Sequence, residues 1–268
     1  MIDHVLINGE VSDGTIPVTD SSVVRGDGCF EVVRSYNGRP FGLEAHLDRL
    51  QRSAAALQIE LPPRDDLRAW VETAVAHQVD GLVRVMVTRG SAIPGVEGSS
   101  KVIVYGHSMP VIPQSLRLTP VPAPWHAAGV DWDLAGAKIL SYAPNLAASR
   151  RARGEGFDEA LLLADQGWIL EGPTFSVAWV VRGVLETPTL DLGILDSITR
   201  RVVLEEAERM GLEVVEGSWS LERLADASEM MAISTVKEVQ VVSEAGALTF
   251  DAGPITSRLA EAFGAIVS

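Results

Sequence analysis

Cysteine is nearly absent from this chain: Cys29 is the only one in 268 residues. A single thiol excludes an intrachain disulfide and any cysteine-based zinc cluster, and it fits a reducing, cytoplasmic setting. Its two readings are a nucleophile and a small core residue, and the second is preferred. Positive charge is also scarce, with 22 basic residues against 36 acidic ones and a net charge of −14. Such a chain repels nucleic acid and anionic membranes, so neither is expected as a partner. No apolar run approaches the length of a membrane span. The opening "MIDHVLINGE" carries charge where a signal peptide needs an apolar core, so none is expected. The five histidines, His4, His46, His77, His107 and His126, have no ligand spacing, and no metal site is expected. GxGxxG after a strand, GK[ST] and GxSxG are all missing, which removes the common nucleotide and serine-hydrolase readings.

What is present is a core: 47% of residues are apolar. The stretch "TPVPAPWHAAG", Thr119 to Gly129, places three prolines at alternate positions and cannot be helix interior. It predicts a linker over 119–128, between an N-terminal domain of residues 1–118 and a C-terminal domain of residues 129–268. "FEVVRSYNGRPF" alternates, with Phe30, Val32 and Arg34 on one side and Glu31, Val33 and Ser35 on the other, and "NGRP" turns it into a hairpin. Leu43, Leu47, Leu50, Ala54 and Leu57 recur at helical spacing, and "DDLRAWVETAVAHQV" predicts a second helix with acids at its start. "LVRVMVTRG", "SKVIVYGHS", "EALLLAD", "FSVAWVVRG" and "EMMAIST" read as strands. "TRRVVLEEAERMG" reads as a helix closed by Gly211. Strands in hairpins with helices grouped elsewhere predict an α+β architecture, not a doubly wound parallel sheet.

Four places invite a chemical reading. Lys138 stands in the apolar run "AGAKILSY", where a lysine either snorkels to water or is used. "DSIT" opens directly into a helix whose first N–H groups, those of Ile198 and Thr199, suit a phosphate; ordinary capping by Ser197 or Thr199 is the plainer alternative. "AISTVKEV" ends a strand in Ser234 and Thr235, two hydroxyls that either cap a turn or grip an anion. Arg49, three residues after His46, lies on the same helix face and is either an anion ligand or one half of a surface salt bridge. The glycine-rich "RGSAIPGVEGSS" fits neither nucleotide pattern and reads as a surface loop or a lid over a site.

The order and spacing of "LINGE", "RGDGCFEVVRSYNGRPFGLEAHLDRLQRSA", "AKILSYAPNLAA", "DEALLLADQGWILEGPTFSVAWV", "GILDSITRRVVLEEA" and "ISTVKEVQVV" carry a resemblance over nearly the whole length. The chain resembles the class IV aminotransferases, the fold-type IV pyridoxal-phosphate enzymes. These include D-amino-acid aminotransferases, branched-chain aminotransferases and aminodeoxychorismate lyases. The resemblance implies a two-domain D-amino-acid-aminotransferase-like fold with pyridoxal 5'-phosphate between the domains, in a homodimer. It implies that Lys138 forms the Schiff base with the cofactor and that Glu171, in "LEGPT", pairs with the pyridine nitrogen. Arg49, the amides of Ile198 and Thr199, Ser234 and Thr235 match the phosphate cup. Tyr142 matches a tyrosine beside the cofactor. The chemistry agrees. A nucleophilic amine must be partly neutral, which apolar neighbours favour, and the ring draws electrons only while its nitrogen stays protonated.

Departures bear on the substrate. Arg25 stands where many relatives have tyrosine, and the "SAIPGVEG" loop holds no basic residue where D-amino-acid enzymes carry their carboxylate clamp. The candidate carboxylate ligands are therefore Arg25, Arg84 and Arg89, with pairing of Arg25 to Asp27 or Glu31 as its alternative role. The expected function is transfer of an amino group between an amino acid, D-amino acids favoured, and a 2-oxo acid. Aminodeoxychorismate lyase and branched-chain L-amino-acid transamination stand as alternatives.

Overall fold

A computed structural model describes residues 4–91, 93, 95 and 98–268. The chain divides into two compact units: residues 4–110, 137–142 and 268 form the first, and residues 111–136 and 143–267 the second.

The first unit contains β1 (Val5–Ile7), β2 (Glu10–Ser12), α1 (Ser21–Arg25), β3 (Gly28–Tyr36), β4 (Arg39–Pro40), α2 (Leu43–Ala56), α3 (Arg64–His77), β5 (Gly81–Thr88) and β6 (Lys101–His107). The strands form one antiparallel sheet in the order β2-β1-β6-β5-β3-β4. The β3–β4 hairpin turns at Asn37 and Gly38, both with positive φ, as the "NG" pair requires. Strand alternation then sorts β3. Cys29 and Val33 join Val83, Val85 and Val87 of β5 on the face that packs against Leu43, Leu47, Leu50 and Ala54 of α2 and Leu67, Val71, Ala74 and Val75 of α3. Leu50 and Val71 are fully buried, and burial of each such side chain contributes about 1.5–3 kcal/mol. Cys29 belongs to this core, and burial, reinforced by the nearby Glu31 charge, pushes its thiol pKa up to about 12. It is therefore a packed, protonated side chain rather than a nucleophile.

The second unit contains β7 (Ser115–Pro122), α4 (Ala143–Gly154), β8 (Glu159–Leu163), β9 (Ser176–Val181), β10 (Val184–Pro188), α5 (Ile198–Arg209), β11 (Val214–Gly217), β12 (Glu229–Ser234), β13 (Glu238–Ala245), β14 (Leu248–Thr249) and α6 (Pro254–Val267). Its eight-stranded sheet runs β11-β10-β9-β12-β13-β7-β8, with β14 on β13. The β10–β11, β13–β7 and β7–β8 pairs are parallel and the rest antiparallel. Both faces are covered, so β9 and β12 are buried along their whole length. Val177, Trp179 and Met230 pack on one side, while Ala160 and Leu162 of β8 meet Ala148 and Ala152 of α4 on the other. α5 ends at Arg209, and Gly211 follows in the left-handed region, as the sequence predicts.

Residues 111–118, expected in the N-terminal domain, belong to the second unit, and two further boundaries differ from the sequence reading. The proposed linker begins inside a strand: Thr119, Pro120, Val121 and Pro122 complete β7. Along these residues β7 pairs with β8 alone, because its pairing with β13 stops at Leu118. Ala123 N–H donates to Leu163 O. Strand N–H groups alternate sides, so Pro120 and Pro122 point their missing donors toward the unpaired side, where proline costs no ladder bond. The second difference is that residues 137–142, assigned by sequence to the C-terminal domain, belong to the first unit. Ile139 bridges Cys29, Lys138 O accepts from Phe30 N–H (3.0 Å), and Leu140 N–H donates to Gly28 O (2.8 Å).

Gly28 permits this pairing. A Cβ there would lie 2.3 Å from Val87 O and 2.7 Å from Leu140 Cδ1. Gly28→Ala is therefore expected to destabilise the fold by about 1–3 kcal/mol through overpacking, measured by urea unfolding. Gly154→Ala, where a Cβ meets nothing within 4 Å, serves as the control and should stay within about 0.5 kcal/mol of the parent.

Candidate active site

Lys138 neither snorkels freely nor sits in an apolar core. Its backbone is held on three hydrogen bonds: N–H to Ser53 Oγ of α2 (3.0 Å), O from Phe30 N–H, and, two residues on, Leu140 N–H to Gly28 O. Its Nζ lies 4.5 Å from the Phe30 ring centroid and 5.8 Å from that of Tyr142. The two rings meet edge to face, 5.3 Å apart at 73°, so the ammonium sits against an aromatic corner that attracts it through ring quadrupoles. Arg84 approaches the same Phe30 ring, its guanidinium carbon 5.3 Å from the centroid. The register explains why. Phe30 pairs with Met86 and Val32 with Arg84, so Phe30 and Arg84 share the sheet face opposite the helices.

On the helix-facing side, alternation forces Glu31 into the core, and α2 supplies its partners. Arg49 Nε and Nη2 each donate to the carboxylate at 2.7 Å, and His46 Nδ1 lies 2.8 Å from Oε2. All three are buried. Burial works to raise the Glu31 pKa, but the Arg49 charge and the hydrogen bonds from Arg49 and His46 outweigh it and bring it to about 2. Burial keeps His46 below its ordinary value against the opposing pull of Glu31. It is therefore a neutral imidazole whose Nδ1–H donates to the carboxylate. The surface salt bridge considered for Arg49 is thus a buried, fork-on-carboxylate pair that fixes the plane of the guanidinium.

The other two arginines divide. Arg25 ends α1 and is exposed. Glu31 is bonded to Arg49 and His46, and Asp27 to Arg89, while the Arg25 charge acts on Asp27 as a smaller influence that helps lower its carboxyl. Arg89, expected as a carboxylate ligand, has its donors engaged within the chain. Its Nε and Nη2 meet both Asp27 oxygens (2.5 and 3.1 Å), Nη2 also donates to Leu57 O, and Nη1 donates to Gln58 O. Within "SAIPGVEG", Ala92, Pro94, Val96 and Glu97 lie outside the described residues, and with them the expectation of a lid.

In the second unit, Ser197 is the N-cap of α5 and its Oγ accepts from Arg200 N–H (3.3 Å). Capping the third amide leaves those of Ile198 and Thr199, which helix geometry provides with no intrahelical acceptor. Capping and anion binding are therefore compatible here. Glu171 is half-buried, and both its carboxylate oxygens accept from Leu195 N–H (3.3 and 3.4 Å), which orients the group instead of leaving it a loose surface acid. Ser234 ends β12 and its Oγ accepts from Lys237 N–H (3.1 Å), so it caps the turn, with Thr235 following it.

Sequence reasoning missed Phe30, Glu31 and Ser53 as parts of this arrangement. The signal for Glu31 was present: alternation placed an acid between Cys29 and Val33 on the face that had to be apolar, which demands a buried cation.

The donor set fits a phosphorylated pyridine aldehyde. The first unit offers an amine (Lys138) and a braced arginine (Arg49); the second, taken by itself, offers an oriented carboxylate (Glu171), a hydroxyl and two helix amides.

Glu31→Gln is expected to cost about 3–5 kcal/mol at pH 7, because Arg49 is left buried without its counter-charge. Because the folded-state carboxyl is depressed from 4.5 to about 2, its contribution is complete above pH 4.5 and is lost as pH falls toward 2. Urea unfolding across pH 2–7 should therefore show the stability difference between parent and variant shrinking over that window. A constant difference would contradict the assignment.

Comparison with known proteins identifies the family. The family model for amino-transferase class IV matches residues 28–245. A putative branched-chain-amino-acid aminotransferase of Methanocaldococcus jannaschii is 32% identical, over 97% of this chain and 94% of its own. A D-alanine aminotransferase of Listeria monocytogenes is 31% identical, with the same coverages. A hypothetical aminotransferase of Mycobacterium tuberculosis, solved in its PLP-bound form, superposes with a TM-score of 0.90 at 26% identity, covering 98% of each chain. The family it belongs to transfers amino groups with pyridoxal phosphate: this chain is a class IV aminotransferase of fold type IV.

Proposed function

We propose that this transaminase works on α-amino acids, D-amino acids favoured, and 2-oxo acids, with pyridoxal 5'-phosphate bound through Lys138. The observation that carries the reading is the sharing of one ring: Lys138 Nζ and the Arg84 guanidinium both lie on Phe30. An amino acid presents an amine and a carboxylate a few ångströms apart, and this aromatic corner offers a base for one and a fork for the other. The cofactor supplies an electron sink for the bonds at the substrate Cα. Lys138 Nζ is the base that moves the α-proton. Glu171, steered by Leu195 N–H, keeps the ring nitrogen protonated. Arg49, held by Glu31, binds the phosphate together with the amides of Ile198 and Thr199 and the Thr235 hydroxyl, while Ser234 shapes the turn beside them. Tyr142 braces Phe30 and the lysine.

The D-alanine aminotransferase relative supports D-amino acids, and the branched-chain relative at 32% supports L-leucine-like substrates as a second reading. A half-reaction screen separates them: the cofactor-loaded enzyme is mixed with D-alanine, D-glutamate, L-leucine and (R)-phenylethylamine, and the visible band is followed. Bleaching by the D-amino acids first is expected. Bleaching by L-leucine alone overturns the preference. Lys138→Ala should abolish the visible band. A colourless parent enzyme in the presence of pyridoxal phosphate would sink the cofactor assignment.

Arg84→Leu should lower kcat/KM for amino acids by roughly 30- to 1000-fold, the loss of about 2–4 kcal/mol from a desolvated charge-assisted contact. It should barely touch simple amines. A larger loss in Arg25→Ala than in Arg84→Leu would move the carboxylate to Arg25. We also propose a homodimer in which the exposed Val23 and Val24 of α1 contribute to the contact. Sedimentation of an active monomer at working concentration would contradict this.

A further inference from the structure

We infer that the Asp27–Arg89 ion pair positions Lys138, because Arg89 joins the two elements that hold the lysine's backbone. The inference rests on the reading of Lys138 as the reacting amine. The first element is the turn into β3: Gly26 O accepts from Ser141 Oγ (2.9 Å), Gly28 O from Leu140 N–H, and Phe30 N–H donates to Lys138 O. The second is α2, whose Ser53 Oγ accepts from Lys138 N–H. Nothing in the chain's order keeps these elements in step, since Gly26–Phe30 and Ser53 are separated by the whole β3–β4 hairpin.

The Glu31 pair with Arg49 and His46 already ties β3 to the middle of α2, and Arg89 adds a second tie, from the turn ahead of β3 to the end of α2. One edge of its guanidinium holds both oxygens of Asp27, inside that turn, and Ser21 Oγ donates to the same carboxylate (3.0 Å). Its other donors reach Leu57 O (2.5 Å) and Gln58 O (3.3 Å). Leu57 is the C-cap of α2, one turn beyond Ser53, and Gln58 turns away with φ 55°. Carbonyls at a helix C-terminus have no intrahelical donor and carry the negative end of the dipole, so a cation there is doubly favoured. Only a planar fork with five donors spans a carboxylate and two carbonyls together, which lysine cannot do. Mainly through its hydrogen bond, Arg89 holds the Asp27 carboxyl below the usual carboxylate range, so the link stands at neutral pH. The side chains are 27% and 38% exposed. A pair this wet contributes little global stability, which separates a positioning role from a merely structural one.

The test follows hydrogen exchange by mass spectrometry in Arg89→Met, Arg89→Lys and Asp27→Asn, with and without pyridoxal phosphate. Peptides spanning residues 28–31 and 137–142 should exchange about 10- to 100-fold faster in Arg89→Met and Asp27→Asn, as expected for losing charge-assisted hydrogen bonds. Val83–Val87 should keep the parent rate. In the half-reaction kcat should fall about 10-fold or more while KM for the amino acid stays within about 3-fold, with Arg89→Lys intermediate. Parent-like exchange at 137–142, or equal acceleration throughout the first unit, overturns the inference. The amine reading fails separately, through a Lys138→Ala enzyme that still transaminates, and the exchange experiment keeps its meaning in that case.

Discussion

The pairing of residues 138–140 against the start of β3 is the constraint on which the rest of the site depends. It is a short ladder, two backbone hydrogen bonds and one bridge, yet it decides which unit owns the lysine. It works because Gly28 has no side chain to fill the space that Leu140 and Val87 occupy. Once the ladder forms, Phe30 and Tyr142 are brought around Nζ, and sheet register carries Arg84 to the same ring. A chain with 36 acids thereby gathers a lysine and an arginine on one aromatic surface.

Burial of charge is organised by the opposite side of the same strand. Glu31 is in the core because the pleat leaves it no other place, and it is tolerated because α2 delivers two donors at the helical spacing of His46 and Arg49. Such a pair adds little net stability compared with apolar packing, since desolvation offsets most of the attraction. What it provides is direction: a guanidinium gripped on two donors cannot turn. Arg89 repeats the principle at the surface, where its two sets of acceptors belong to different elements. In the second unit the same effect comes from caps. Ser197 takes one amide of α5 and leaves two, and Leu195 N–H orients Glu171.

Much of the fold was legible because period is a local property. The β3–β4 hairpin, α2, α3, β5, β6, β8, β9, β12 and α5 all follow from alternation, helical recurrence or turn chemistry written into their own residues. The prolines of "TPVPAP" misled because their cost depends on a neighbour. On a stretch paired along only one side they break nothing, and no residue of β7 announces how many partners it will have. α1 and α4 went unread for a related reason: capping by Asp20 and packing against a sheet stabilise them more than their own pattern does.

The sequence by itself determined the α+β class and the family, because the motifs that carry them, from "RGDGCFEVVRSYNGRPF" to "DSIT", are fixed by residue type and order. Tertiary structure alone decided ownership and partnership: that Lys138 packs with the first unit, that Arg49 is braced by Glu31, that Arg89 is bound to Asp27 and Arg84 to Phe30. Chemical type is carried by each residue, whereas pairing joins positions such as 27 and 89, which only the closed sheet brings together.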